Sequence, residues 1–387
     1  MVSRRKVLVT GSAWLVLLGG GLGAYVGTRS IAKAQEPWKR AATGFEDPRL
    51  DALAYAILAP NPHNRQPWQV RLQGDDGFTV YCDLEKRLQH TDPPNRQITI
   101  GFGTFLELFR QAAAEKGYRA EITPFPEGEP EPVLDRRPIA SVKLIREQSV
   151  PRDPLFGTIL KRRSTKEAFA PRSVDKETFA KLQAMAFSGQ PELSSSLATT
   201  SDAERVAKLR ELNWKAWSVE YDVARTQKES VDLMRIGAAE VNANPDGIDM
   251  SGPMMEAMRL SGVVSREALA TKGSTAYESG ISMYKEILDS TSSFGWLISP
   301  DNSRTTQLQS GAAWVRINQA ASALGLAMHP VSQILQEFPE MADLYDEYHD
   351  YLAVAAPARV QGFFRFGYAP NPEASPRWPV ESLILNV

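Results

Sequence analysis

The sequence predicts an α+β fold in which mixed and antiparallel sheets are covered by long helices, with two related halves in one chain. Three observations predict it. Short apolar runs flank turn residues at hairpin spacing, as around Gly74-Asp75-Asp76-Gly77. Two long Ala-rich helical segments each stop at a glycine, Gly117 and Gly325. The segments Phe109–Ile122 and Ile317–Pro330 share the frame QAA-x-x-x-G-[YL], and each copy follows a run beginning with Gly. That echo reads as two halves of related design, spanning 45–150 and 151–387.

The elements follow in order. Pro48–Leu58 spaces its apolar residues like a helix, and Trp68–Leu72 with Phe78–Leu84 reads as the hairpin. Gly101–Gly117 is a helix, Tyr118–Ile122 a strand, Pro124–Pro138 a Pro/Glu-rich linker and Ile139–Ile145 a strand. Helices are expected over Leu155–Arg163, Lys176–Ala186 and a long stretch, Asp202–Asn242, that carries Trp214, Trp217 and Tyr221. Asn244–Asp301 reads as an irregular insertion rich in Met, Gly and Ser. Gln307–Leu326 is the second Ala-rich helix, and Pro357–Phe366 is a strand before a Pro/Arg-punctuated tail.

Composition narrows the function classes. The 387 residues are 43% hydrophobic, enough for a sizeable core. A net charge of −2 gives no basic excess, so nucleic acid is not an expected partner. The four histidines (His63, His90, His329, His349) have no ligand spacing, so no metal site is expected. Cys82 is the single cysteine, which excludes an intramolecular disulfide.

The N-terminus reads as an export signal over residues 1–34. Ser3-Arg4-Arg5 leads into an uncharged run from Val7 to Gly27, and Ala32-Lys33-Ala34 is a small-x-small site. The paired arginines resemble a twin-arginine signal, with Val7 where that pattern prefers Phe. An ordinary signal peptide or an uncleaved anchor fits the same residues, since the run has about the length that spans a bilayer, roughly 20 residues. Twin-arginine export is associated with proteins carried folded, often with a cofactor already inserted. Gly19–Ala24 also fits a loose G-x-G-x-x-A, but the signal accounts for those glycines with more of their context.

Four stretches could carry chemistry. In "KRRSTKEAF", Arg162, Arg163, Ser164 and Lys166 put three cations and a hydroxyl within five residues, suited to a phosphate or a ring carbonyl. A solvated basic helix end is the alternative. In "LAPNPHNRQPWQV", Pro60 and Pro62 stiffen the backbone, and the Asn61 and Asn64 amides both donate and accept. Taken alone, that stretch is an Asx-type turn feeding a strand. In "SALGLAMHPVSQI", a Gly-ended helix precedes His329-Pro330-Val331-Ser332, whose backbone N–H groups could face a ligand, with His329 read as structural. Arg377 lies between prolines near the C-terminus.

Together these motifs resemble the nitroreductase superfamily of FMN oxidoreductases. Arg162-Arg163-Ser164-Thr165-Lys166 is similar to its R-[RH]-S-x-[RK]. Ala59 to Trp68 is similar to its A-P-S-x-x-N-x-Q-P-W, with Asn61 in place of Ser. Leu324-Gly325-Leu326 before His329-Pro330, and Gly367-Tyr368-Ala369-Pro370 after a late strand, complete the set. Their order is reversed, because Gln66-Pro67-Trp68 precedes Arg162. Ordinary members are homodimers in which each subunit gives one motif to a shared flavin. This chain resembles such a dimer fused, as in the tandem, monomeric subgroup called the Acg family, in which a lid covers FMN.

The resemblance implies that Arg162, Arg163, Ser164 and Lys166 meet the FMN phosphate, ribityl chain and pyrimidine. Pro60, Asn61, Pro62 and Asn64 would come from the opposite half. The backbone of Val331 and Ser332 would face flavin N5, and Arg377 would reach the phosphate. No side chain is required as nucleophile or base, since the hydride-accepting atom is on the cofactor. The lid would be 244–301. The implied function is an exported, periplasmic, monomeric FMN oxidoreductase acting between a small donor and an electron-poor acceptor such as a quinone or nitro compound. The alternative is a protein that sequesters FMN under a closed lid.

Overall fold

The computed structural model describes residues 29–385, so most of the expected export signal lies outside the described residues. Helices α1 (Glu36–Thr43) and α2 (Pro48–Ala56) lead into β1 (Trp68–Gln73), β2 (Gly77–Cys82), helix α3 (Arg96–Glu115), β3 (Tyr118–Pro124) and β4 (Ala140–Arg146). Then come α4 (Lys176–Phe187), β5 (Ser196–Thr200), α5 (Ala203–Asp222), α6 (Ala224–Asp232), β6 (Met234–Ile236), α7 (Ala238–Ala243) and β7 (Ile248–Met250). The chain continues through α8 (Pro253–Leu260), α9 (Arg266–Ala270), α10 (Thr275–Asp289), β8 (Ser293–Ser299), α11 (Arg304–Ala323), β9 (Ala327–Pro330), α12 (Ala342–Tyr351) and β10 (Arg359–Gly367).

Two four-stranded sheets repeat one topology. The first runs β1-β2-β4-β3 and the second β5-β8-β10-β9, with every neighbour antiparallel. In each, two strands precede a long helix. The next strand takes the edge, and the last inserts beside the second. Strands β6 and β7 pair in parallel, outside both sheets.

Helices α3 and α11 are each 20 residues long and pack on one another. Their contact depends on two glycines. A Cβ on Gly103 would lie 2.9 Å from the Gly311 Cα, and one on Gly311 would lie 2.8 Å from the Gly103 Cα. Each would also strike a carbonyl of the facing helix, at Leu308 and Ile100. Only residues without a side chain let two backbones approach this closely. The buried first arginine of each helix reaches across. Arg96 binds Glu337, the Leu335 carbonyl and, at 3.0 Å, Gln361 Oε1. Arg304 donates to the carbonyls of Pro130 (3.2 Å) and Pro132 (2.8 Å) in the linker.

One apolar core joins Phe105 and Phe109 of α3 to Trp314 and Ile317 of α11. A second gathers α5 and α12 around Phe294 and Phe363 of the second sheet. The C-terminal tail crosses back to the first sheet, where the Leu385 N–H donates to the Val70 carbonyl at 2.8 Å.

Several expected elements are corrected. Leu155–Arg163 is not a helix; it holds one short turn, Phe156–Thr158. Tertiary contacts override its propensity, with Asp153 bound to Arg316 and Arg162 to the Leu58 carbonyl. Asp202–Asn242 breaks into α5, α6, β6 and α7. Asn244–Asp301 is ordered rather than irregular, and its last part, β8, is a central strand buried at all but one position. A lid therefore cannot extend to 301. Two-sided burial removes the alternation that marks a strand, so β8 reads from sequence as Gly/Ser-rich loop.

Candidate functional site

Three distant segments meet at one carbonyl. Leu58 O accepts from Arg162 Nη2 at 2.7 Å and from Arg377 Nη2 at 3.2 Å. The loop after α2 brings Leu58, the segment before α4 brings Arg162, and the C-terminal tail brings Arg377.

The loop from Pro60 to Gln66 is held hard against α3. Thr104 Oγ1 donates to the Pro60 carbonyl at 2.7 Å, and a Cβ on Gly101 would lie 3.2 Å from the Asn61 Cβ and 3.4 Å from Pro62 Cδ. Asn61 staples the loop internally, accepting from the Gln66 N–H at 2.8 Å and donating to the Ala59 carbonyl at 3.1 Å. His63, Asn64 and Gln66 all have positive φ, at 47°, 51° and 49°. Such backbone is unfavourable for non-glycine residues and persists where surroundings enforce it. Asn64 clasps the tail. Its Oδ1 accepts from Arg377 Nη1 at 2.7 Å and its Nδ2 donates to the Pro376 carbonyl at 3.1 Å.

Arg162–Lys166 lies between α11 and β9. Asn318 of α11 accepts from Arg162 Nη1 at 3.0 Å and donates to the Arg163 carbonyl at 3.0 Å. The Thr165 N–H donates to the Met328 carbonyl at 2.9 Å, which fixes Ser164 and Lys166 beside β9.

The site is cationic and poor in anions. Arg162 and Arg377 are buried, and among the described residues neither pairs with a carboxylate. Both Nε atoms are buried without a hydrogen-bond partner. Burial pulls the Arg162 guanidinium down to about 9, with the Arg163 charge adding to the effect, so it stays charged at neutral pH. Burial, then Arg162 and Arg163, hold Arg377 well below its usual range. Lys166 keeps solvent access yet is hemmed in by protein; this desolvation lowers its amine pKa, and Asp249 acts the other way. A buried unpaired cation is costly. The Trp38 ring eases the cost, lying 4.7 Å from the Arg163 guanidinium carbon and 5.6 Å from that of Arg377. Chemically, the cluster is suited to a compact anion such as a phosphate.

The stretch Ser322–Ile334 differs from expectation. The Val331 N–H donates to the Phe363 carbonyl at 2.9 Å and the residue is buried, so the sheet, not a ligand, takes this donor. Ser332 follows at the start of the turn Gln333–Leu335. Gln333 Oε1 accepts from the Tyr284 hydroxyl at 3.1 Å, tying this turn to α10. His329 is structural: its Nδ1 accepts from Arg365 Nε at 3.0 Å, and burial keeps the ring neutral.

Sequence reasoning missed Trp38, Asn318 and the role of Gln66. Gln66 is buried, accepts from the Trp378 N–H at 2.9 Å and donates to the Pro245 carbonyl at 2.7 Å. Asn318 had one usable signal, a polar residue beside Gln319 in an Ala-rich buried helix.

No family model matches the chain. Over 75 residues it is 35% identical to "Putative NAD(P)H nitroreductase acg" of Mycobacterium tuberculosis, a match covering 19% of this chain and 22% of that relative. The chain thus spans about a fifth of the length of the curated relatives it matches. Among solved structures, the FMN- and NADPH-dependent nitroreductase NfnB from Sphigopyxis sp. strain HMH aligns at 14% identity, TM-score 0.37, over 60% of this chain and 98% of that one. A Bacteroides fragilis nitroreductase with bound FMN aligns at 13% identity, TM-score 0.33, over 57% of this chain and 90% of that one.

Proposed function

We propose that this chain is an exported FMN-dependent oxidoreductase of the nitroreductase type, two fused halves carrying one flavin site. It reduces a small electron-poor acceptor, a quinone or nitro compound, by two electrons. One observation carries the reading: the loop Leu58–Gln66, the segment Arg162–Lys166 and the tail converge around Arg162 and Arg377, buried cations that pair with no carboxylate among the described residues. The two orphaned Nε atoms fit a phosphate, so the residues present suit FMN.

When bound, FMN supplies the two-electron chemistry. The chain's own residues do the rest. Arg162, Arg163 and Arg377 would hold the FMN phosphate, and Ser164 and Lys166 would line the ribityl and ring side; Asn64 keeps Arg377 in place. With the Val331 N–H taken by the sheet, Ser332 is the backbone donor of that pair that would serve a bound flavin. The donor is a small molecule; NfnB is NADPH-dependent, but NADPH is scarce outside the cytoplasm. The repeated sheet order and the glycine crossing support the fused-dimer reading, and the single copy of each motif supports one site. Purified protein should carry yellow flavin absorbance near one equivalent, and a colourless chain that takes up no added FMN would sink the proposal.

A second reading has its own support. Segment 244–289 grips both sides of the site: the Gly247 N–H donates to the Asn64 carbonyl at 3.1 Å, and Tyr284 holds Gln333. A lid so tied favours FMN sequestration. Bleaching by dithionite alone, with no reoxidation by quinones, would support that reading over turnover.

A further inference from the structure

The chain enters its folded body with almost no slack. Residues 7–27 are uncharged, and only Thr28 and Arg29 separate them from Ser30. The Ser30 carbonyl accepts from Asn242 Nδ2 at 2.8 Å. Ala34 is buried; its N–H donates to Asn242 Oδ1 at 3.1 Å and its carbonyl accepts from the Arg377 N–H at 2.9 Å. An extended chain spans at most about 3.5 Å per residue, so the body stands within ~10 Å of the end of the uncharged run. That run has about the length needed to cross a bilayer.

Exposed apolar groups lie on α8, which packs against the end of α7 away from Asn242. Helix α7, six residues and about 9 Å long, runs from Asn242 back to Gly237, which packs on Glu256 and Arg259 of α8. On α8 and just beyond it, Met254, Leu260 and Val263 are exposed by 73%, 41% and 38%. The opposite side of the same segment is packed, with Met255 and Met258 against Val231, Ile236 and Leu269. Solvent-facing apolar groups grouped on one ordered element mark a contact surface. Lys33 and Lys39 are exposed beside the entry and suit anionic headgroups.

We propose that the face formed by Met254, Leu260 and Val263 rests in the headgroup region of the membrane that the N-terminal run enters. This rests on reading residues 1–34 as an uncleaved anchor, and is independent of the flavin.

The test uses the full-length chain with phosphatidylethanolamine–phosphatidylglycerol vesicles carrying a nitroxide lipid. Val263→Cys and, on the exposed strand β3, Arg119→Cys each take a fluorophore, while Cys82 is buried with its thiol pushed up to about 12 and stays unlabelled. Quenching should be several-fold stronger at 263 than at 119, and Leu260→Glu should remove the difference without lowering thermal stability. A chain that floats with the vesicles but quenches equally at both positions overturns the face alone. A chain that does not float overturns the membrane reading of the N-terminus and the face with it.

Discussion

Gln111 and Gln319 exchange side-chain amides across the α3–α11 contact. Gln111 Nε2 donates to Gln319 Oε1 at 3.0 Å and Gln319 Nε2 donates to Gln111 Oε1 at 2.8 Å, with both residues fully buried and 208 positions apart. Arg96 and Arg304, Gly103 and Gly311, and Gly117 and Gly325 stand at the same offset. A reciprocal pair of this kind is what the proposed fusion of two related halves expects where they meet.

The reciprocal pair makes a non-additive prediction. Gln111→Leu or Gln319→Leu alone leaves the partner's amide buried with a bond missing, which costs about 1–3 kcal/mol. The double change removes both amides together, so its cost should fall well short of the summed singles. Urea unfolding of the three variants checks this; strict additivity would mean that the two amides act independently.

Gly103→Ala and Gly311→Ala should each destabilise strongly, because the new methyl meets backbone that cannot rotate away. Overpacking costs ~1–3 kcal/mol and sometimes more. Gly157→Ala is the control, since a Cβ there meets nothing within 4 Å. Melting temperatures should separate the first two from the third, and equal losses in all three would remove the special role of the crossing.

Much of the first sheet was legible, because β1 and β2 flank a polar turn and α3 and α11 end in glycine. Burial hid part of the second sheet, although β10 matches the strand expected over Pro357–Phe366. β8 has no alternation to read, and the turn at Phe156–Thr158 took its shape from contacts made by Asp153 and Arg162 far along the chain. The site was partly legible for the same reason. Asn64, Arg162 and Arg377 stand in recognisable motifs; the structure joins the two arginines at the Leu58 carbonyl and Asn64 to Arg377. Trp38 stands in no motif, and the Val331 N–H is consumed by a strand partner that sequence could not supply.

Asp92 should give stability a distinctive pH dependence. It is buried before α3, accepting from the N–H groups of Gln97 (3.1 Å) and Ile98 (2.9 Å). Burial pushes its carboxyl up to about 7 from 3.8, against those two bonds. The folded chain therefore holds a proton that the unfolded chain releases. The resulting stability is fully present below 3.8 and is lost as pH rises through about 7. Asp92→Asn cannot titrate, so its stability relative to wild type should rise across that window by up to about 1.4 kcal/mol per pH unit. Denaturant midpoints at several pH values check this, and parallel profiles would show that Asp92 is ionised throughout.

Asn64→Ala and Arg162→Ala should each weaken FMN retention, although the residues lie far apart in sequence. Asn64 holds Arg377, and Arg162 spans Leu58 O and Asn318. A loss of ~10-fold corresponds to about 1.4 kcal/mol, the scale of one charge-assisted bond. Arg162→Lys should not restore binding, because an ammonium cannot reproduce the planar fork. Flavin fluorescence titration measures all three. If only Arg162 matters, the loop is not half of the site.

Trp38 should control phosphate recognition without touching the flavin ring. Its indole lies against Arg163 and Arg377, and its Nε1 donates to the Ser375 carbonyl at 2.8 Å, two residues before Arg377. Trp38→Ala removes both supports, so the guanidinium groups lose their orientation and part of their compensation for burial. Trp38→Phe keeps a ring face and loses only the hydrogen bond, so it should retain most of the affinity. The ligand pair FMN and riboflavin isolates the phosphate: Trp38→Ala should weaken FMN markedly and riboflavin little, because riboflavin has no phosphate for the arginines to hold. Equal weakening of both would make Trp38 a general support of the fold, and no weakening of either would separate this ring from the cation cluster altogether.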